Sequence, residues 1–138
     1  MTFHPWRWLR AKPEIEVIWQ PQPVGRIAAT DGHRVILMDP RQSQAQRRCA
    51  ITHEQIHIEH RHVGGCSPTE ERQVRAATAR RLIALDELVA AYRWSRDLRE
   101  MADELWVTPD VVRERLAGLA AEERRRLASV HDDLELTC

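Results

Sequence analysis

Residues 50–57 read Ala50-Ile51-Thr52-His53-Glu54-Gln55-Ile56-His57. Wound as a helix, this stretch puts His53 and His57 one turn apart on one face, where two imidazoles can converge on a single metal ion. Glu54 follows His53, so its carboxylate lies beside that face. There it can take a proton from water at the ion without occupying a coordination position.

The pattern around this stretch supports a helix that buries it. From about Ser43 the apolar period changes from two to that of a helix, and Cys49, His53, Ile56 or His57, and His60 recur at steps of three and four. The histidine pair is therefore expected to face inward, with His60 on the same side as a residue that orients a ligand or touches substrate. The helix is expected to end near Val63-Gly64-Gly65, where glycine suits a left-handed cap. His-Glu-x-x-His in this setting is the zincin signature, and the expected ion is zinc (Zn2+).

A catalytic zinc site has three protein ligands and one open position. A histidine six residues after His57 would complete one common set, but that position is Val63. The other common solution takes a glutamate from a later helix. Ser67-Pro68-Thr69-Glu70 opens such a helix, with Ser67 as cap, Pro68 at the first turn and Glu70 closing a capping box. Beyond it Glu71, Val74, Thr78, Leu82, Leu85 and Val89 fall on one stripe, and a carboxylate heading a core-facing stripe is costly unless it is bound. Glu71 is the expected third ligand and Glu70 the runner-up. The implied reaction is peptide hydrolysis with Glu54 as general base. The oxyanion stabiliser stays open among Tyr92, His60 and several arginines.

The segments before the motif read as a small antiparallel sheet. Glu14 to Trp19 partly alternates acids with β-branched and aromatic residues, Gly25 to Thr30 is a second short strand, and Asp31-Gly32 is a turn ahead of His33 to Met38. Trp6, Trp8 and Leu9 suggest a short helix docked on the core. After the second motif helix a break is expected near Ala84 to Asp86, with Asp86 as cap. Leu98 to Leu105, Val107-Thr108-Pro109-Asp110 and Val111 to Leu119 then give helix, turn and helix, with Thr108 capping the second. The expected class is thus α+β, a small sheet on a zincin-like helix pair followed by a helix-turn-helix-like segment. Its organisation is a metallopeptidase core over 1–92, a helical subdomain over 93–130 and a frayed tail over 131–138.

Composition narrows the partners. Lys+Arg and Asp+Glu are both 21, so no net charge draws the chain to nucleic acid or anionic membrane. From Arg96 to Arg126, 7 arginines face 8 acids, so the helix-turn-helix-like region lacks the basic footprint of a DNA reader. Packing or protein docking is expected of it rather than direct DNA binding. No stretch reaches the length of a membrane span and Met1 to Lys12 lacks a signal-peptide core, so a soluble cytoplasmic protein is expected. Cys49, Cys66 and Cys138 lack paired spacing, which suits a reducing compartment. Cys49 reads as core, Cys66 as a plain residue of a Gly-Gly loop and Cys138 as a chain-end thiol.

The chain resembles the ImmA/IrrE-type metallo-endopeptidases, most closely their short actinobacterial and actinophage forms. The resemblance rests on Arg47-Arg48-Cys49-Ala50-Ile51-Thr52-His53-Glu54-Gln55-Ile56-His57, on Glu70-Glu71-Arg72-Gln73-Val74, and on Ala79-Arg80-Arg81-Leu82-Ile83. It extends over nearly the whole chain, from Trp6 to Leu105-Trp106-Val107. It implies zinc ligation by His53, His57 and Glu71, catalysis by Glu54, and a protein substrate, in this family often a helix-turn-helix repressor of a mobile element. The chain departs from the family at Gln55, where an apolar residue is usual, at Gln73, often an acid, and at Ala77, often aromatic.

Overall fold

The computed structural model describes residues 2–136, with side chains through Asp132; Cys138 lies outside the described residues. The chain is α+β. In order come α1 (Pro5–Arg10), β1 (Glu16–Trp19), β2 (Ala28–Thr30), β3 (Val35–Met38), α2 (Gln44–Glu59), α3 (Pro68–Leu82), α4 (Leu85–Trp94), α5 (Leu98–Leu105), α6 (Pro109–Ala117) and α7 (Ala121–Leu136).

The three strands fall where the alternating pattern put them, but the sheet is mixed rather than antiparallel. Its order is β1-β3-β2, with β2 antiparallel to β3 and β1 parallel to it. The β2–β3 hairpin turns at Asp31-Gly32, where Asp31 Oδ1 accepts from the amides of His33, Arg34 and Val35. No such turn joins β1 to β2, because Pro21 and Pro23 lack the N–H groups a tight hairpin would pair. The chain crosses over instead. Asp39, just past β3, receives the Gln22 amide at 2.9 Å and Arg41 at 2.7 Å, which pins the crossover beside the end of β1.

Helix α2 is the shared wall of two cores. Ile51 packs with Ile36 and Met38 of β3, flanked by Trp6, Leu9 and Val17. Cys49, on the other side, joins Leu82, Leu88, Met101, Val112 and Leu127 in a cluster that spans α3 to α7. The boundary expected at residue 92 falls inside α4, and that cluster runs across it.

Local chemistry explains most of the helix ends. Ser43 and Ser67 each form a full capping box, with Gln46 and Glu70. Two expectations are corrected here. Ala84 rather than Asp86 occupies the cap position of α4, its amide donating to Glu87. Thr108 caps α6 by position but makes no side-chain cap bond. Helix α7 runs to Leu136, with Leu127 and Val130 buried in the larger cluster.

Gln55, the departure from an apolar residue, is fully buried and donates from Nε2 to the Pro5 carbonyl at 2.8 Å, so it docks α1. Arg48 does similar work at longer range. It is 6% exposed and donates to the carbonyls of Phe3, Leu105 and Trp106, tying the N-terminal segment to the α5–α6 turn. Trp106 in that turn is left-handed (φ 60°, ψ 40°), a costly state for a bulky residue that the Arg48 bond helps to hold. Arg48→Met leaves three carbonyls without this donor and should lower unfolding free energy by about 2–4 kcal/mol, measured by urea denaturation.

Candidate metal centre

Two helices bring the candidate ligands together. His53 and His57 are one turn apart on α2, and α3, capped by Ser67, crosses so that Glu71 in its first turn meets them. The Nε2 atoms of the two histidines lie 3.2 Å apart; Glu71 Oε1 is 2.9 Å from His53 Nε2 and Oε2 is 3.1 Å from His57 Nε2. Four donor atoms thus face one point, and His53, His57 and Glu71 form a group that could hold a metal ion.

Electrostatics suit that role. Burial lowers both imidazole pKa values, so at neutral pH the rings are uncharged and keep a lone pair for a cation. For Glu71 burial alone would act upward, but His53, His57, Cys66 and Arg75 together hold its carboxyl below the ordinary value. One carboxylate and two neutral imidazoles are the donor set of a three-ligand zinc site.

Glu54 is 8% exposed and, with His53 and Glu71, lines a cleft of about 750 Å3. Burial pushes its carboxyl up to about 7; the nearby Glu71 charge adds to the rise and Arg26 opposes it. A carboxyl poised near neutrality can both accept and return a proton. The opposite walls of the cleft come from Ala28 on β2 and from Val111 and Arg113 on α6, so the helix-turn-helix-like segment borders the site directly.

Not every expected site residue is here. Glu70 points away from the His53–His57–Glu71 group: Oε1 accepts the Ser67 amide and Oε2 lies 3.1 Å from His62 Nε2. His60 is exposed at the end of α2, its ring against that of His62, rather than on the inward face. The reason is that α2 stops sooner than the glycines suggested. Arg61 takes the left-handed cap position (φ 56°) ahead of Gly64 and Gly65, which ends the helical period at His60. Tyr92 packs in the larger core and bonds His131 at 3.2 Å, apart from the residues lining the cleft. Of the basic candidates for stabilising an oxyanion, Arg26, Arg75 and Arg113 line the cleft.

Two participants escaped the helical reading. His62 Nδ1 sits 2.9 Å from His57 Nδ1, and Cys66, expected to be a plain loop residue, places Sγ 3.5 Å from Glu71 Oε2. His57, His62 and Cys66 form a second group able to hold a metal ion. Neither residue lies on a helix, so periodicity carried no signal for them; the only cue was their chemistry, close in sequence to the motif. Arg115, a charged residue of α6, is 3% exposed and bonded inside the core.

No family model, curated protein or solved structure matches the chain. Among the described residues no helix is long and apolar enough to cross a membrane.

Proposed function

We propose that the chain is a zinc-dependent metallo-endopeptidase of the ImmA/IrrE type, acting in the cytoplasm on a helix-turn-helix repressor-like protein. The observation that carries this reading is the convergence of His53, His57 and Glu71, with Glu54 beside them on an open cleft. His53, His57 and Glu71 would hold a zinc ion, which would supply Lewis-acid polarisation of a peptide carbonyl and acidify water beside it. Glu54 takes the water's proton and passes it to the leaving amine. Arg26 and Arg75 put positive charge on the cleft walls, where developing negative charge on the carbonyl oxygen would be met. β2 is an edge strand whose Ala28 lines the cleft, so an extended peptide can add along it.

The competing reading is a non-hydrolytic regulator with a structural zinc, binding a partner through its C-terminal helices. An open cleft reaching Glu54 favours hydrolysis, since structural zinc sites are closed by a fourth protein ligand. Wild-type protein purified without chelators should carry one zinc per chain by elemental analysis, and His57→Ala should carry none. A zinc-free wild type would sink the proposal. Incubation with a helix-turn-helix repressor should give discrete cleavage products that a chelator prevents.

A further inference from the structure

Helix α2 ends in a way that returns the chain over its own last turn. The Arg61 amide donates to the Ile58 carbonyl at 3.0 Å and the His62 amide to the His57 carbonyl at 3.0 Å, the paired bonds of a Schellman cap. Arg61 adopts the left-handed conformation that this cap requires. His62 is thereby folded back beside His57, five residues earlier. Its backbone is also held from the other side. A Cβ on Gly32, at the β2–β3 turn, would come within 2.2 Å of the His62 carbonyl oxygen, so the hairpin and the cap touch without a side chain between them.

The result is a line of polar atoms leading away from the metal-binding group. His57 Nδ1 faces His62 Nδ1 at 2.9 Å, and His62 Nε2 faces Glu70 Oε2 at 3.1 Å. Glu70 Oε1 already accepts the Ser67 amide at 2.9 Å. The His62 ring is largely enclosed, with 10% of its side chain exposed.

With a metal ion on His57 Nε2 and a neutral His62, proton counting along this line has one solution. A carboxylate only accepts, so the His62 nitrogen facing Glu70 carries the proton. In a neutral His62 the other nitrogen, Nδ1, is then an acceptor. His57 Nδ1 then donates to it, and the His57 Nε2 lone pair serves the metal shared with His53 and Glu71. The opposite arrangement would set two acceptors against each other at Glu70.

We infer that His62 and Glu70 are positioning residues that fix the tautomer and ring orientation of His57, so that its Nε2 is always the metal-binding atom. The inference rests on the metal centre proposed above and deepens it. Partners of this kind typically raise metal affinity ten- to a hundredfold. The same atoms admit a rival role, in which His62 and Cys66 are themselves ligands with His57. The two roles use different nitrogens of His57, Nδ1 toward His62 and Nε2 toward His53 and Glu71, and the experiment below separates them.

The test is zinc affinity of the full chain, measured by competition with a chromophoric chelator, for wild type, His62→Phe and His62→Asn. Phenylalanine keeps the ring without an acceptor and should weaken zinc binding about ten- to a hundredfold. Asparagine restores an acceptor near the Nδ1 position and should recover most of the loss. A purely packing role would reverse that order. Proton NMR of the zinc-loaded protein gives a second readout: the His57 Nδ1–H, hydrogen-bonded to His62, should resonate far downfield in wild type and lose that shift in His62→Phe. Unchanged affinity in His62→Phe, with zinc bound normally by wild type, overturns the inference and leaves the metal centre standing. A wild type that binds no zinc overturns the metal centre itself. A thiolate-to-metal absorption band in the cobalt-loaded protein, lost in Cys66→Ser, would make the second group the ligand set and overturn the positioning role.

Discussion

Glu54→Gln is expected to abolish peptide hydrolysis, by a factor of about 10²–10⁴, while leaving zinc bound at wild-type stoichiometry. Glutamine matches glutamate in shape, so it keeps the packing of a side chain that is 8% exposed on α2. What it removes is the ability to accept a proton from water and return it. Glu54 is not among the converging donor atoms, which belong to His53, His57 and Glu71, so the ion should stay. Elemental analysis and cleavage of a repressor substrate, run on the same sample, read the two effects separately. Hydrolysis within tenfold of wild type would remove Glu54 from the chemistry. Full biological activity of the variant, with zinc retained, would favour the non-hydrolytic regulator instead.

The second large effect concerns a residue of α6 that does not line the cleft. Arg115 on α6 is 3% exposed and donates to the Ile83 carbonyl at 2.8 Å and to Glu123 on α7 at 2.8 Å. Glu123 also receives Arg80 from α3 at 3.0 Å and the Ala120 amide at 2.8 Å, so one carboxylate joins three helices. Glu123→Ala leaves the Arg115 guanidinium buried without its counter-ion and should cost about 3–5 kcal/mol of stability. A denaturant melt would show it, and a loss below about 1 kcal/mol would contradict the account. The wild type carries a pH signature of the same group. The bond from Arg115, then the Ala120 amide and Arg80, hold the Glu123 carboxyl at about 2, below its ordinary 4.5. A depressed carboxyl stabilises the fold above its unfolded value, and that contribution is lost as pH falls from about 4.5 toward 2. Stability in that window should therefore fall more steeply in wild type than in Glu123→Ala.

Much of the candidate site was legible before any coordinates. His53 and His57 are joined by helix periodicity, Glu54 by adjacency, and Glu71 by its place at the head of a core-facing stripe whose Val74, Thr78 and Leu82 are indeed buried. The strands and the two serine-capped helices were legible for the same reason: caps and periods are short-range. The parallel pairing of β1 with β3 was not, because Pro21 and Pro23 forbid one connection without specifying another. His60 was misplaced because a helical period was carried one turn beyond the true end of α2. His62 was missed because a Schellman cap, built on a left-handed Arg61 where glycine was expected, returns it to the site.

What the sequence by itself determined is the local part: a four-residue spacing that presents two imidazoles together, a carboxylate beside them, and a capped helix that starts with two acids. Only the tertiary structure decided between those acids, sending Glu71 to the His53–His57 pair and Glu70 to His62. It also set α6 along the cleft and buried Arg115 where charge alone suggested a surface. The physical reason is range. Helix period and capping act over three or four residues and are written in neighbouring side chains, whereas the crossing of α3 over α2 depends on how two cores fill on either side of one helix.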